Sequence, residues 1–155
     1  MLSEEILYQL LDIMPVARLG LIDGVGLPEA MPIVFARVSD GLFSPIDGKP
    51  KSSAKLARIK LIENQPKGTL LLDHYHDNWE QLWWVKMDIE ATVISMEHNL
   101  WDQAVSGLRA KYPQYHSVSL FKDNPTMIGV RWTRVRWWAS NELKGIKRWI
   151  ETRVV

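Results

Sequence analysis

The sequence contains no cysteine. This absence excludes disulfide bonds, thiolate metal ligands and cysteine nucleophiles, and it is compatible with a reducing cytosol. The first residues, from Met1 to Glu5, also lack the basic segment with which a signal peptide begins, and two of them are acidic. We therefore expect a cytoplasmic protein.

Long hydrophobic runs and an excess of charge of one sign are missing too. No stretch approaches the roughly 20 apolar residues of a membrane span. The 19 basic and 18 acidic residues give a net charge of +1, whereas chains that bind nucleic acid usually carry a clear basic excess. We expect neither a membrane nor a nucleic acid as partner, and the length of 155 residues predicts a single domain over residues 1–155.

The motifs of several large enzyme classes are absent as well. The chain has no Gly-x-Ser-x-Gly motif and no Walker loop, and the turn at Gly24 and Gly26 lacks the dinucleotide-binding pattern. Arginines such as Arg134 stand beside tryptophans near the end of the chain, which is an arrangement that can stack bases. A solvated strand face explains them better, and no residue can be assigned as a catalytic acid or base.

Hydrophobic periodicity indicates a β-rich chain with flanking helices. The strands do not alternate regularly with helices, which favours an antiparallel barrel over a doubly wound sheet. The fold class is therefore mainly β or α+β. We predict six strands over residues 17–23, 29–38, 42–46, 69–75, 82–95 and 127–139, and helices over residues 4–14 and 99–112, from Ser52 or Ser53 onward, and in the tail 141–155.

Two strands carry irregular patterns. Pro32 cannot donate to a ladder, so it places the start of its strand at a sheet edge or a bulge. In the last strand the apolar face switches between Trp132 and Val135, which predicts a bulge or a barrel corner.

The loop before the second predicted helix is basic and rich in hydroxyls. Lys49 and Lys51 precede Ser52 and Ser53, and Lys55 follows within about one turn. Helix N-termini favour anions through free N–H groups and the helix dipole. The segment is thus either a phosphate-binding corner or a solvated basic loop with an ordinary serine cap.

Eight tryptophans exceed what a core of this size ordinarily needs. Adjacent strand residues point to opposite faces, so Trp83 and Trp84 cannot both lie in one core. One of them should face a partner surface or a flat ligand, because exposing an indole to water is unfavourable. Nearby, His74 and His76 share a face if their strand continues, and could hold a metal if a third ligand joined them; a polar strand end is the simpler interpretation.

Several of these segments together resemble one known group of proteins. They are residues 32–35, 42–51, 70–75, 77–79 and 82–86, with a similar run at 111–115. They are similar to pyridoxamine 5'-phosphate oxidase-class enzymes of the flavin-binding split-barrel superfamily, in particular F420-dependent members. The resemblance extends over roughly residues 5–140, and its order of elements matches the predicted one.

The resemblance implies a six-stranded split barrel that forms a homodimer and binds FMN or the deazaflavin F420 at the subunit interface. Ile33 and Val34 would lie along the isoalloxazine ring, and Ser44 and Pro45 along its edge. Trp84 would come from the other subunit, and Trp138 would close the site. The phosphate would be held by Lys49, Lys51, Ser52, Ser53 and Lys55.

The activity implied is that of a flavin- or deazaflavin-dependent oxidoreductase acting on an unknown small molecule. Two departures matter: Ile89 stands where relatives often carry glycine, and the Arg/His substrate pattern of true pyridoxamine phosphate oxidases does not follow Trp138. Two other functions stay open. One is a non-catalytic flavin carrier or sensor, and the other is a small metal-binding barrel that uses His74 and His76.

Overall fold

A computed structural model describes residues 1–46, 52–122 and 124–154, with the backbone alone for residues 52–55. No helix among them is both long and apolar enough to cross a bilayer. The helices are α1 (Glu4–Ile13), α2 (Ser52–Asn64), α3 (Trp101–Lys111) and α4 (Glu142–Glu151). The strands are β1 (Ala17–Ile22), β2 (Pro28–Ile33), β3 (Ala36–Val38), β4 (Gly41–Pro45), β5 (Lys67–His74), β6 (Trp83–Ile94) and β7 (Met127–Ala139).

The described strands form one sheet of seven in the order β2-β1-β5-β6-β7-β4-β3. Every neighbouring pair is antiparallel. The predicted fold, an antiparallel split barrel of the α+β class with flanking helices, is confirmed. The predicted strand number of six is wrong by one, because the segment expected as a single strand over residues 29–38 is divided.

The division falls at Val34 and Phe35, between β2 and β3. The Phe35 N–H donates to the hydroxyl of Tyr112 at 3.1 Å, and that hydroxyl also lies 3.2 Å from the Phe35 carbonyl. Buried backbone groups need partners, and this side chain supplies them where no strand does. The chain can therefore leave one ladder and enter another. Pro32 lies in β2 at the sheet edge, as predicted.

The predicted bulge in the last strand is also confirmed. Asp88 of β6 pairs with Arg134, whereas the next residue, Ile89, pairs with Trp132, so Thr133 is the extra residue. A bulge reverses the side-chain alternation of its strand. Trp132 and Val135 consequently both pack against the main core.

Two hydrophobic clusters stabilise the fold. The larger lies between the inner face of the sheet and helices α1 and α4, and includes Leu10, Leu70, Val85 and Ile146. The smaller lies under α3, which packs Leu108 in the same cluster as Phe43 and Met127. Helix α1 begins as predicted, with the Ser3 hydroxyl accepting from the Ile6 N–H at 3.3 Å. The tail forms α4, as expected.

Candidate functional site

Four of the predicted cofactor-binding residues lie around the hairpin of β3 and β4. Ile33 ends β2 and is buried, and the half-buried Val34 follows it toward the open end of the hairpin. Ser44 and Pro45 are the last residues of β4 and are buried at the same end. Ser44 is only 3% exposed, and no other polar residue of the described chain is classed as buried. This corner is thus mainly apolar with one hydroxyl.

The predicted phosphate-binding residues come shortly after this hairpin in the sequence. Lys49 and Lys51 lie outside the described residues. Ser52, Ser53 and Lys55 contribute backbone to the first turn of α2, which begins at Ser52. The helix is where the sequence predicted it, but the two serines predicted as caps lie within its first turn. A helix start offers free N–H groups and the positive end of its dipole. An anion-favouring helix end therefore follows the hairpin corner closely in the chain.

Trp83 and Trp84 divide between the two faces of β6, as the sequence predicts. Trp83 is 2% exposed and packs in the core, whereas Trp84 lies on the outer face and is half-buried. Trp84 pairs across the ladder with Trp138, which is 45% exposed. Two indoles thus stand side by side on an open surface of the subunit.

This tryptophan pair lies far from the hairpin corner in the same subunit. Pro45 pairs with Met127 at the start of β7, while Trp138 lies near its end. A strand of 13 residues is roughly 40 Å long at about 3.3 Å per residue. Within one chain, the two parts of the predicted site therefore lie toward opposite ends of β7.

Charged side chains surround the tryptophan pair. The Lys86 ammonium lies 5.5 Å from the centre of the Trp84 ring, within cation–π range. Arg136, on the same face, forms an ion pair with Asp88. The Nε atom of Arg136 is buried and has no hydrogen-bond partner among the described residues.

The two candidate metal ligands lie at the end of β5. The ring centres of His74 and His76 are 6.2 Å apart, and Nδ1 of His76 accepts a 2.9 Å hydrogen bond from the Asn78 N–H. No group of three histidine, cysteine, aspartate or glutamate side chains that could hold a metal ion occurs in the described part of the chain.

His74 instead lies among aromatic rings. It stacks on Trp83 with ring centres 6.2 Å apart and lies 5.8 Å from the ring of Trp149. Burial lowers the pKa of His74 below its ordinary value, and the positive charge of Arg153 and the neighbouring His76 lower it further. Its imidazole is therefore mostly neutral at pH 7, and can both donate and accept a hydrogen bond.

A cleft of about 370 Å³ opens beside this histidine. One wall is the segment from His74 to Gln81, and the other is helix α4 with the residues that follow it. Sequence reasoning missed this cleft, since its walls are distant in the chain. The signal available was the concentration of Arg148, Trp149 and Arg153 near the C-terminal end of the sequence.

This chain is similar to known proteins in its fold but not in its sequence. No protein-family model matches the chain, and no curated protein matches it either. Several solved structures, however, match it in fold. The chain is similar to HutZ, the heme storage protein of Vibrio cholerae, with 14% identity, a TM-score of 0.68, and coverage of 90% of this chain and 95% of that one.

Two further solved structures have the same fold. One is an FAD-binding protein of Mesorhizobium loti, with 17% identity, a TM-score of 0.64, and coverage of 88% of this chain and 94% of that one. The other is a Listeria innocua protein provisionally assigned as a pyridoxamine 5'-phosphate oxidase, with 16% identity, a TM-score of 0.60, and coverage of 90% and 98%. Such low identities show the fold alone: the chain has the split-barrel fold that these structures share.

Proposed function

We propose that this chain is a cytoplasmic oxidoreductase that binds FMN or F420 between two copies of itself. The observation that carries the proposal is the pair Trp84 and Trp138, two partly exposed indoles paired on an open face. Exposed indoles of this kind are typical of subunit contacts and of sites for flat ligands. The structurally similar protein of Mesorhizobium loti is an FAD-binding protein, which supports a flavin as the class of ligand.

The chemistry of the residues suits such a cofactor. Its phosphate would be held at the start of α2 by free N–H groups, the hydroxyls of Ser52 and Ser53, and the ammonium groups of Lys49, Lys51 and Lys55. Its ring would lie against the apolar corner formed by Ile33, Val34 and Pro45, with Ser44 as the polar contact. Trp84 of the second copy would cover the ring, and Trp138 would exclude water from it.

The cofactor would supply the redox chemistry, namely the transfer of a hydride or electrons. The protein would bind it, orient it and exclude water from it. The reacting substrate would be a small molecule that enters beside the tryptophans. The absence of cysteine is compatible with a reducing cytoplasm.

The test is a fluorescence titration of the purified protein with FMN and with F420. The double variant Lys49→Ala/Lys51→Ala should bind the preferred cofactor about tenfold or more weakly, a loss of at least about 1.4 kcal/mol. The matched control is Arg58→Ala/Lys60→Ala, which also removes two positive charges, but from within α2 and away from its start. It should bind nearly as tightly as the wild type.

Two results would contradict the proposal. If neither cofactor binds the wild-type protein, the flavin function is wrong. If both double variants weaken binding equally, the effect is one of overall charge, and the phosphate corner at α2 is wrong.

The alternative is a non-catalytic flavin carrier or sensor, which would use the same site. It predicts tight cofactor binding without oxidation of a reduced nicotinamide or turnover of any acceptor. A rapid-mixing experiment that follows reduction of the bound cofactor separates the two functions.

A further inference from the structure

The cleft beside His74 is distinct from the residues assigned to the flavin site. It lies between the segment from His74 to Gln81 and helix α4, and a volume of about 370 Å³ is within the range of small-molecule pockets, roughly 300–1,000 Å³. We propose that this cleft binds a small organic anion, a planar ring that carries a carboxylate or phosphate group.

The lining of the cleft carries an excess of positive charge. Arg148 and Arg153 both line the cleft, against the single carboxylate of Glu80. Neither arginine forms an ion pair with any carboxylate in the described part of the chain. Guanidinium groups bind carboxylates and phosphates through paired hydrogen bonds, so two of them on one cleft favour an anion.

One of these arginines, Arg153, is held in place by its neighbours. The Arg153 guanidinium lies 4.0 Å from the centre of the Trp149 ring. Its Nη1 donates to the Thr152 hydroxyl at 3.1 Å, and that hydroxyl donates to the Trp149 carbonyl at 2.8 Å. A side chain that is already ordered loses less entropy when it binds a ligand.

Aromatic rings form part of the wall of the cleft. His74, His76 and Trp149 all line the cleft, and His74 and Trp149 are in mutual ring contact at 5.8 Å. Trp149 is only 8% exposed and supports the wall, so the imidazole rings of His74 and His76 are the surfaces that favour a planar ligand. His74 and the side chain of Asn78 add hydrogen-bonding groups for the polar substituents of such a ligand.

Gly145 lies inside α4 and lines the cleft. Glycine within a helix is less favourable than alanine, because it loses more conformational freedom on folding. Packing does not require it, because an added Cβ would meet only the Cβ of Asn141, at 3.4 Å. The glycine therefore costs helix stability and leaves the wall of the cleft open.

The experiment uses the full chain and three probes: phenyl phosphate, benzoate and inorganic phosphate. Binding is followed by calorimetry and by tryptophan fluorescence, since Trp149 lines the cleft. We expect one of the ring compounds to bind at least tenfold more tightly than inorganic phosphate. Preference between the two ring compounds identifies the anionic group.

Two variants locate the site. Arg148→Ala/Arg153→Ala should weaken binding of the better probe tenfold or more, whereas the control Arg109→Ala/Lys144→Ala, which also removes two positive charges, should not. Gly145→Ala should weaken binding at least fivefold while its melting temperature stays equal to that of the wild type or rises. This opposite response separates filling of the cleft from damage to the fold.

The proposal is overturned if no probe binds the wild-type chain at concentrations up to about 10 mM. The binding free energy would then be weaker than about −3 kcal/mol. It is also overturned if inorganic phosphate binds as tightly as the ring compounds, or if the arginine and glycine variants bind like the wild type. The Lys49→Ala/Lys51→Ala variant removes the proposed phosphate corner and with it any phosphate bound there. It should still bind the better ring compound, and this binding should still depend on Arg148 and Arg153, so failure of the flavin function leaves this test intact.

Discussion

The hydroxyl of Tyr112 donates a 2.7 Å hydrogen bond to the carbonyl of Pro15. The same hydroxyl accepts from the buried N–H of Phe35. Tyr112 follows the last turn of α3, Pro15 lies between α1 and β1, and Phe35 lies in the break between β2 and β3. One side chain thus connects three segments that are distant in sequence.

We expect Tyr112→Phe to destabilise the protein by about 1–3 kcal/mol, because it leaves buried backbone groups without their partner. Burial raises the pKa of this phenol to about 12, so the hydroxyl stays protonated across the neutral range. Urea unfolding measures the loss. Tyr75→Phe is the matched control, since Tyr75 is 68% exposed, and equal stability of the two variants would contradict the role of Tyr112.

A second prediction concerns the neighbouring Lys111. Its ammonium donates to the Leu11 carbonyl at 2.9 Å and lies 3.7 Å from the centre of the Phe35 ring. Burial lowers its pKa from 10.5 to about 8, partly offset by the charge of Asp12. Between these two values the unfolded chain keeps a proton that the native protein has released.

Stability therefore gains from Lys111 as the pH rises above about 8, since the unfolded state binds more protons there. Lys111→Met should remove this gain and flatten the change in unfolding free energy between about pH 7.5 and 9.5. Lys122→Met, at an exposed position, should not. A Lys111→Met profile parallel to that of the wild type would show that this amine is not the cause.

A third prediction follows from the close approach of β1 and β5. A Cβ added at Gly68 would overlap the carbonyl oxygen of Gly20, whereas one added at Gly20 would meet the Thr69 oxygen at an ordinary 3.6 Å. The two substitutions insert the same methyl group into the same strand pair. We expect Gly68→Ala to cost about 3 kcal/mol or more, because the obstacle is backbone, and Gly20→Ala to cost clearly less. Thermal unfolding compares them, and equal costs would contradict the close approach.

Local patterns in the sequence predict much of this fold. The switch of apolar face between Trp132 and Val135 identifies the bulge because side-chain alternation is recorded in the sequence itself. The opposite facing of Trp83 and Trp84 follows from the same rule. The break at Val34 and Phe35 could not be predicted this way, because it depends on the hydroxyl of Tyr112, which no local pattern brings near.

The candidate sites show the same difference between features that are local in the sequence and features that form from distant segments. Ser44, Pro45 and the start of α2 are close in sequence, so a motif can represent them. Trp84 and Trp138 become partners only through the β6–β7 ladder, and the cleft beside His74 forms only when α4 packs beside the end of β5. Sites built from distant segments need the fold before they can be recognised.

The last prediction tests the open face that carries the proposed flavin site. Trp83 and Trp84 are adjacent, yet Trp83 contacts Trp149 with ring centres 5.0 Å apart inside the core, while Trp84 lies outside. Trp83→Ala should cost about 3–5 kcal/mol as a large-to-small core substitution. Trp84→Ala should cost less than about 1 kcal/mol within one subunit.

If the open face is a subunit contact, the two variants also differ in association. The folded state of a dimer becomes more stable as the protein concentration rises, because association favours it. The unfolding midpoint of the wild-type protein should therefore rise with protein concentration. Trp84→Ala should reduce that rise and increase the monomer fraction in sedimentation velocity. Trp84 and the hairpin corner lie at opposite ends of the strands within one chain, so the proposed site needs one part from each of two copies. A wild-type chain that sediments as a monomer at all concentrations would therefore contradict the proposed site.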